Sequence, residues 1–348
     1  MALVMVQGHV AEALLSPVSR ADPLYQLQNV VHGSTAPGFL FASGFVAGLP
    51  RAPLAPRAAL RRARRLLFIL GVGYAIHLPY FSLWKTLLEA TPAEGAALFA
   101  CDALQAIAVT QLLALVLQWA FGRRWAAVGG LLAALVIVAT PAVWAAQPSR
   151  SLPRLVGAYL DPATGSRFPL FPFSAFVLAG ALAGGVIGRQ DPRTRRRRAV
   201  LWGLALSGAG LVLAWLLEGR VEFWGPSPAY VLLRLGGLVL LLRAVEAAAV
   251  RGWPGVGSLA LLGHETLLVY VLHLCLLFGG VFGPAPLWPW ASRLGFGAAG
   301  LVLLGMVPVL LAASWVWHRF KARAPGEASL LLAFLTVAFA FELLTRPW

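Results

Sequence analysis

Long apolar runs separated by short linkers constrain this chain more than any other feature. They lie at about 1–16, 31–49, 66–84, 102–121, 125–146, 169–188, 199–217, 228–250, 258–282, 291–317 and 328–345. A helix needs about 20 apolar residues to cross a bilayer, where backbone polar groups must be satisfied within the segment. Strict polar/apolar alternation, as in a barrel strand, is absent. The sequence therefore predicts an all-α, polytopic integral membrane helical bundle of about 11 spans, forming a single domain over residues 1–348.

The placement of charge along the chain supports a membrane protein. Only 12% of residues are charged, about half the usual share of a soluble domain. The net charge is +15, but most basic residues fall in alternate linkers. They include Arg51, Arg57, Arg61, Arg62, Arg64, Arg65, Arg123, Arg124, Arg189, the arginines of 193–198, Arg243, Arg251, Arg319, Lys321 and Arg323. This is the positive-inside pattern, so the charge predicts topology and no nucleic-acid partner.

The same pattern predicts where the protein lies in the cell. We expect a multi-pass protein of the inner (plasma) membrane, with the basic linkers and the N-terminus cytoplasmic and the C-terminal Trp348 extracytoplasmic. The first apolar run is short and has no basic residue before it. We therefore expect the native chain to begin earlier, with a basic segment.

Polar side chains within apolar runs are the candidates for function, because an ionisable group at the centre of a span costs about 2.5 kcal/mol or more. They are His9, His32, Asp102, Gln105, Arg234 and His273. Asp102 and Gln105 are three residues apart and share a helix face. Arg234 remains charged and needs a counter-charge, backbone carbonyls or a polar cavity around it. Judged by its expected depth in the membrane, Asp102 is the nearest candidate for the counter-charge.

Several polar side chains, among them His77 near the end of another apolar run, also have a structural interpretation. His9 could be a buried histidine hydrogen-bonded within the bundle. His32 and His77 could be anchors at the membrane interface, the interpretation that we favour for His77. Asp102 could cap the helix that follows it.

Three further polar residues and the two cysteines are weaker candidates for a functional role. His264 and Glu265 are explained by helix initiation, and His318 by a solvated inner face. Cys101 and Cys275 form neither a disulfide framework nor a metal framework. No histidine, cysteine or carboxylate spacing in the sequence is typical of a metal site.

Five segments resemble the transmembrane acyltransferase superfamily, which includes heparan-alpha-glucosaminide N-acetyltransferase and bacterial surface-glycan acyltransferases. They are Gln7-Gly8-His9, the segment from His32 to Phe45, Cys101-Asp102-Ala103-Leu104-Gln105, Phe168 to Phe173 before Leu178 to Ala181, and Leu262 to Leu274. The segments follow one another in the order of that superfamily and cover nearly the whole chain. The family usually has an arginine or aspartate before its first histidine, and this chain has neither there.

The resemblance implies an activity and a site. Such proteins take an acyl group from cytosolic acyl-CoA, here expected to be acetyl-CoA, and need no metal. The acceptor would be an extracytoplasmic glycan or glycolipid bearing a hydroxyl or amine. The resemblance points to His9 as the catalytic residue and to His32 second.

The other polar residues then receive supporting roles. Asp102 is expected to orient the catalytic imidazole, and Arg234 to steady the oxyanion or the acceptor. Gln105 and His273 are expected to contact substrate or stabilise charge. The histidine would act as a general base, or else as an acyl-histidine relay.

Two other function classes stay open on sequence alone. Buried Arg, Asp and His also line the pathways of transporters and flippases, and a family member without activity would be a membrane scaffold. The lipid bilayer is the expected environment in every case. A homodimer is left open.

Overall fold

A computed structural model describes residues 1–50, 55–280 and 285–346. Arg51 and Trp348, both used in the topology prediction, lie outside these residues. Within them, the secondary structure is helical with no strand, and Leu15 and Leu294 form an isolated bridge. The all-α prediction is confirmed.

Seventeen α-helices form in this part of the chain. The first nine are α1 (Ala2–Leu14), α2 (Pro17–Arg20), α3 (Pro23–His32), α4 (Thr35–Gly48), α5 (Pro56–Ile76), α6 (Leu83–Glu89), α7 (Pro92–Phe99), α8 (Ala103–Phe121) and α9 (Trp125–Ala146). The others are α10 (Arg154–Gly157), α11 (Leu170–Ala183), α12 (Pro192–Leu216), α13 (Pro228–Val250), α14 (Val256–His264), α15 (Thr266–Phe278), α16 (Phe296–Arg323) and α17 (Pro325–Thr345).

The helices confirm a polytopic membrane protein but not the count of eleven spans. Among the described residues, six helical segments are long and apolar enough to cross a bilayer, or seven if α14 and α15 form one bent span. One of the six, 103–146, has 44 residues, about twice what one crossing needs. Its helices α8 and α9 contact each other and both contact α11, and Gly122 between them has φ 52°. We therefore interpret this segment as two helices joined by a turn.

The chain divides into two compact units. The first contains residues 1–35, 80–89 and 248–348, and the second contains 36–79 and 90–247. In the first unit α1 packs against α3, α15 and α16, and α16 also contacts α14 and α17. In the second, α11 packs against α8 and α9, and α5 packs against α8. The prediction of one domain over the whole chain stays a prediction.

Glycines set the closest helix packing in the second unit. A Cβ atom built on Gly180 of α11 would overlap the carbonyl oxygen of Phe41 on α4, and one on Gly44 would overlap that of Val177. Because helices in a bilayer gain stability from close packing rather than from escaping water, these contacts hold α4 against α11. Gly44 and Gly180 therefore permit the close approach of α4 and α11.

We expect Gly180→Ala to destabilise the protein by about 1–3 kcal/mol, because the added methyl group meets backbone that cannot rotate away. Gly208→Ala on α12 is the matched control, since a Cβ there would meet no atom within 4 Å. Thermal unfolding in detergent should show a lower transition temperature for Gly180→Ala only. Equal transition temperatures for the two variants would contradict the packing.

Candidate active site

The first unit brings three histidines of the sequence prediction together. His9 lies on α1, His32 is the last residue of α3, and His273 lies on α15. A Cβ atom built on Gly8 would overlap the ring of His32. Gly8 therefore leaves the space that lets the His32 ring lie against α1, which explains the Gln7-Gly8-His9 sequence locally.

His9 and His273 form a direct hydrogen bond. The Nδ1 atom of His9 lies 2.7 Å from Nε2 of His273. The two rings are almost parallel, with an interplanar angle of 6° and centroids 5.0 Å apart. His273 is fully buried, with 0% of its surface exposed. The pair therefore joins α1 to α15 through one polar contact inside the unit.

The backbone determines which nitrogen of each ring carries a proton. Nδ1 of His273 lies 2.6 Å from the carbonyl oxygen of Val269, one helical turn earlier. Since a carbonyl only accepts, Nδ1 of His273 must donate, and in a neutral ring Nε2 is then an acceptor. Nδ1 of His9 must therefore donate to that Nε2 atom. This assignment places the lone pair of a neutral His9 on its Nε2 atom, as a general base requires.

His32 borders this pair. Its ring lies edge-on to His9, with centroids 5.3 Å apart and an interplanar angle of 71°. Its Nδ1 atom lies 3.4 Å from the carbonyl oxygen of Val4, a long contact. The Tyr270 ring packs edge-on against His273, with centroids 5.8 Å apart. The His9–His273 pair is therefore the hydrogen-bonded centre of the cluster, and His32 lies at its side.

Within the described residues, no group of three or more histidine, cysteine or carboxylate side chains could hold a metal ion. The chemistry that the cluster supports is proton transfer by imidazole.

The second unit contains a different histidine pair, formed by His77 and Asp102. Nε2 of His77 lies 3.2 Å from the Asp102 carboxylate, and its Nδ1 atom lies 2.8 Å from the carbonyl oxygen of Gly73. Because both neighbours accept, the protonated form of His77 can donate a hydrogen bond from each ring nitrogen. Asp102 also accepts a 2.7 Å hydrogen bond from the Ala103 backbone, which caps α8. The described contacts of Asp102 are thus with His77 and the cap; its expected role in orienting the catalytic imidazole stays a prediction.

His77 follows α5 and Asp102 precedes α8, so both groups lie beyond the ends of the helices. Burial lowers the pKa of His77, but the hydrogen bonds to Asp102 and Gly73 and the charge of Asp102 together raise that pKa overall. Burial raises the pKa of Asp102, but the hydrogen bond and charge of His77, the Ala103 backbone N–H and the charge of Arg167 together lower it overall. Each partner thus favours the charged form of the other.

We expect this ion pair to stabilise the protein most between about pH 4 and pH 6.5, the unperturbed pKa values of Asp and His. Its contribution should be lost as the pH rises through the raised pKa of His77, and also as it falls through the lowered pKa of Asp102. The difference in unfolding temperature between the wild type and Asp102→Asn should therefore be largest near pH 5.5 and shrink by pH 9. A difference independent of pH would show that Asp102 acts only as a helix cap.

The remaining predicted residues, Gln105 and Arg234, also lie in the second unit. Gln105 is 1% exposed beside Gly73, and neither atom of its amide has a hydrogen-bond partner among the described residues. The Arg234 guanidinium lies over the rings of Tyr230 and Trp224, at 5.3 and 6.0 Å from their centroids. The aromatic faces help to hold the cation. The pairing of Arg234 with Asp102 that depth in the membrane suggested stays a prediction.

Sequence reasoning missed a charged cluster around Glu265. Its carboxylate is 4% exposed and accepts hydrogen bonds from His318 at 2.9 Å and from Lys321 at 2.6 Å. Helix initiation does not explain this burial, and His318 is an ion-pair partner rather than merely a solvated residue. The sequence does contain a signal for this cluster. Glu265 lies within an apolar run, and His318 and Lys321 are three residues apart on a later helix.

The helices and the histidine cluster together define an α-helical membrane protein with an imidazole site. The family model described as an acyltransferase domain matches residues 1–318. The chain belongs to this acyltransferase family and is a membrane acyltransferase, as the resemblance implied. No curated protein and no solved structure matches the chain.

Proposed function

We propose that this chain transfers an acyl group, expected to be acetyl, from cytoplasmic acyl-CoA to a hydroxyl or amine of an extracytoplasmic glycan or glycolipid. The observation that carries the proposal is the His9–His273 hydrogen bond, which assigns a proton-accepting nitrogen to His9. The family match supports the reaction class. The donor, the acceptor and the side of the membrane are our inferences.

His9 performs the proton transfers in this proposal. The acceptor O–H or N–H bond breaks, its proton passes to Nε2 of His9, and the acceptor atom bonds to the acyl carbon of the thioester. When the C–S bond breaks, the same proton passes from His9 to the departing sulfur. His273 keeps the hydrogen bond of His9 Nδ1 throughout and so stabilises the imidazolium. Arg234 lies in the second unit, and its expected role toward the oxyanion or the acceptor stays a prediction.

The basic face of α5 supports an anionic donor. This helix carries Arg57, Arg61, Arg62, Arg64 and Arg65 in its first half. Nη2 of Arg62 donates a 2.6 Å hydrogen bond to the side-chain oxygen of Gln111 on α8, which fixes that guanidinium. Arginines suit phosphate groups because their N–H donors match phosphate oxygens. The residues present therefore fit the phosphates of a coenzyme A thioester.

A half-open groove of the second unit lies at the connection between α12 and α13, and we take it as a candidate site for a sugar. Its volume is about 480 Å³, and its lining includes Trp215, Phe223, Glu218 and Ser227. Ligand sites commonly have about 300–1,000 Å³ and combine aromatic faces with a few polar groups. The Phe223 ring also packs against Tyr230, over which Arg234 lies.

The transporter alternative has one observation in its favour. Helices α14 and α15 meet at an angle of 83°, and transporters use broken helices at their substrate sites. Transporters built from repeats contain such breaks in pairs, however, and among the described residues this is the single bent pair of this kind. We therefore prefer the enzyme.

Two measurements test the proposed function. Purified protein should bind acetyl-CoA in equilibrium dialysis, and His9→Ala should bind it equally, because the imidazole acts in chemistry. Sealed membrane vesicles given labelled acetyl-CoA on the cytoplasmic face should accumulate label in glycan or glycolipid on the opposite face. Absence of binding and of transfer by the wild type would overturn the proposal, whereas transport of an unmodified solute would favour the transporter.

A further inference from the structure

The bend between α14 and α15 occurs at one buried charged residue. Glu265 joins the two helices with φ −102° and ψ 28°, and its N–H still donates to Leu261. The Thr266 hydroxyl donates to the carbonyl oxygen of Gly263 at 2.6 Å. The bend is thus hydrogen-bonded on its backbone, with the carboxylate of Glu265 directed into the protein.

The buried carboxylate ties this bend to α16. Its two oxygens bind different side chains, Oε1 the Nδ1 atom of His318 and Oε2 the Nζ atom of Lys321. His318 and Lys321 are three residues apart and share one face of α16. A buried carboxylate without such partners would be strongly destabilising. We call Glu265, His318 and Lys321 the α15–α16 clamp.

A short series of hydrogen bonds leads from the clamp to the candidate active site. The Glu265 carbonyl accepts from the N–H of Val269 at 3.0 Å. The Val269 carbonyl in turn accepts from Nδ1 of His273 at 2.6 Å. His273 lies about 12 Å along α15 from the clamp, at 1.5 Å per residue. A rotation of α15 at its first residue would therefore move the His273 ring and its hydrogen bond to His9.

We propose that the α15–α16 clamp is a positioning device for the reaction, which fixes the rotation of α15 and thereby the His9–His273 hydrogen bond. Glu265 contacts no reacting atom in this role. The inference rests on the proposed function of His9 but concerns a different property, the placement of His273. We thus assign the basic residues of the clamp a role in positioning the site, in addition to their role as signals of membrane topology.

The test uses the full chain in membranes and four variants. Glu265→Gln removes the charge of the clamp while keeping its shape, and Lys321→Met removes one cation. Lys321→Arg retains the cation. Glu246→Gln is the matched control, because Glu246 also pairs with two basic side chains, Arg195 and Arg243, but lies on α13 in the other unit.

Two readouts separate positioning from simple loss of fold. We expect Glu265→Gln and Lys321→Met to lower kcat about tenfold to a hundredfold, as small misplacements of catalytic groups do, with KM for acetyl-CoA unchanged. Lys321→Arg and Glu246→Gln should keep the wild-type kcat. The second readout is the rate at which diethyl pyrocarbonate modifies His9 and His273, followed by mass spectrometry; it should change in the two damaging variants alone.

The modification rates test the clamp even if acyl transfer by the wild type is never detected. A failure of the proposed function can therefore be distinguished from a failure of the clamp. Unchanged modification rates in Glu265→Gln would overturn the clamp. So would a Lys321→Arg variant as impaired as Lys321→Met. If Glu265→Gln does not fold, the exchanged variant Glu265→Lys with Lys321→Glu provides the test, and it should regain folding and part of the activity.

Discussion

His9→Ala is expected to lower acyl transfer by about 10² to 10⁴, the usual contribution of a general base. The loss corresponds to about 2.7–5.5 kcal/mol of transition-state stabilisation. The physical reason is that the lone pair assigned to Nε2 of His9 disappears, so the acceptor must attack without giving up its proton. The measurement is the initial rate of label transfer from acetyl-CoA in membranes with equal amounts of protein.

His264→Ala is the control for this variant. His264 is an exposed histidine in the same unit, outside the cluster of His9, His32 and His273. It should retain the wild-type rate. If His9→Ala transferred the acyl group as fast as His264→Ala, the catalytic role of His9 would be wrong, and His32 would be the next histidine to replace.

His273→Phe is expected to have the second largest effect, a loss of about tenfold to a hundredfold in kcat. Phenylalanine fills the space of the ring but accepts no hydrogen bond, so the Nδ1 donor of His9 loses its partner. His9 can then adopt the other tautomer, which puts the proton on the nitrogen meant to accept one. The loss of an orienting partner has this consequence in the Ser-His-Asp triad as well.

His273→Gln distinguishes this explanation from a packing defect. The side-chain oxygen of glutamine can accept a hydrogen bond near the position of Nε2, so this variant should keep more activity than His273→Phe. KM for acetyl-CoA should be the same in both. A His273→Gln variant with no more activity than His273→Phe would show that His273 serves packing rather than the tautomer of His9.

Several parts of the site could be predicted because their signal is local. Histidines in apolar runs are costly and therefore conspicuous, and His9, His32 and His273 are found on this ground alone. The capping role of Asp102 follows from its position before an apolar run. Each of these features depends on a residue and its near neighbours in the chain.

The partners of these residues could not be predicted. The sequence indicated a cap or a catalytic partner for Asp102, but gave no sign of its ion pair with His77. Nothing in the sequence pairs His9 with His273, yet the two rings share a hydrogen bond. The sequence indicates the depth of a residue in the membrane, which is only one coordinate of its position. To predict a contact, one must also know how each helix is rotated and which helices are its neighbours. For the same reason the position of Glu265 before α15 is predictable, but its ion pairs with α16 are not.

The sequence by itself determined that the chain is an all-α membrane protein, because hydropathy and charge spacing act on each segment separately. It also supplied the histidines that a family of acyltransferases would use. Only the tertiary structure decided that His9 and His273, 264 positions apart, share a proton, and that Glu265 is held by α16. These contacts depend on how close-packed helices fit together, and that fit is a property of whole surfaces rather than of any one segment.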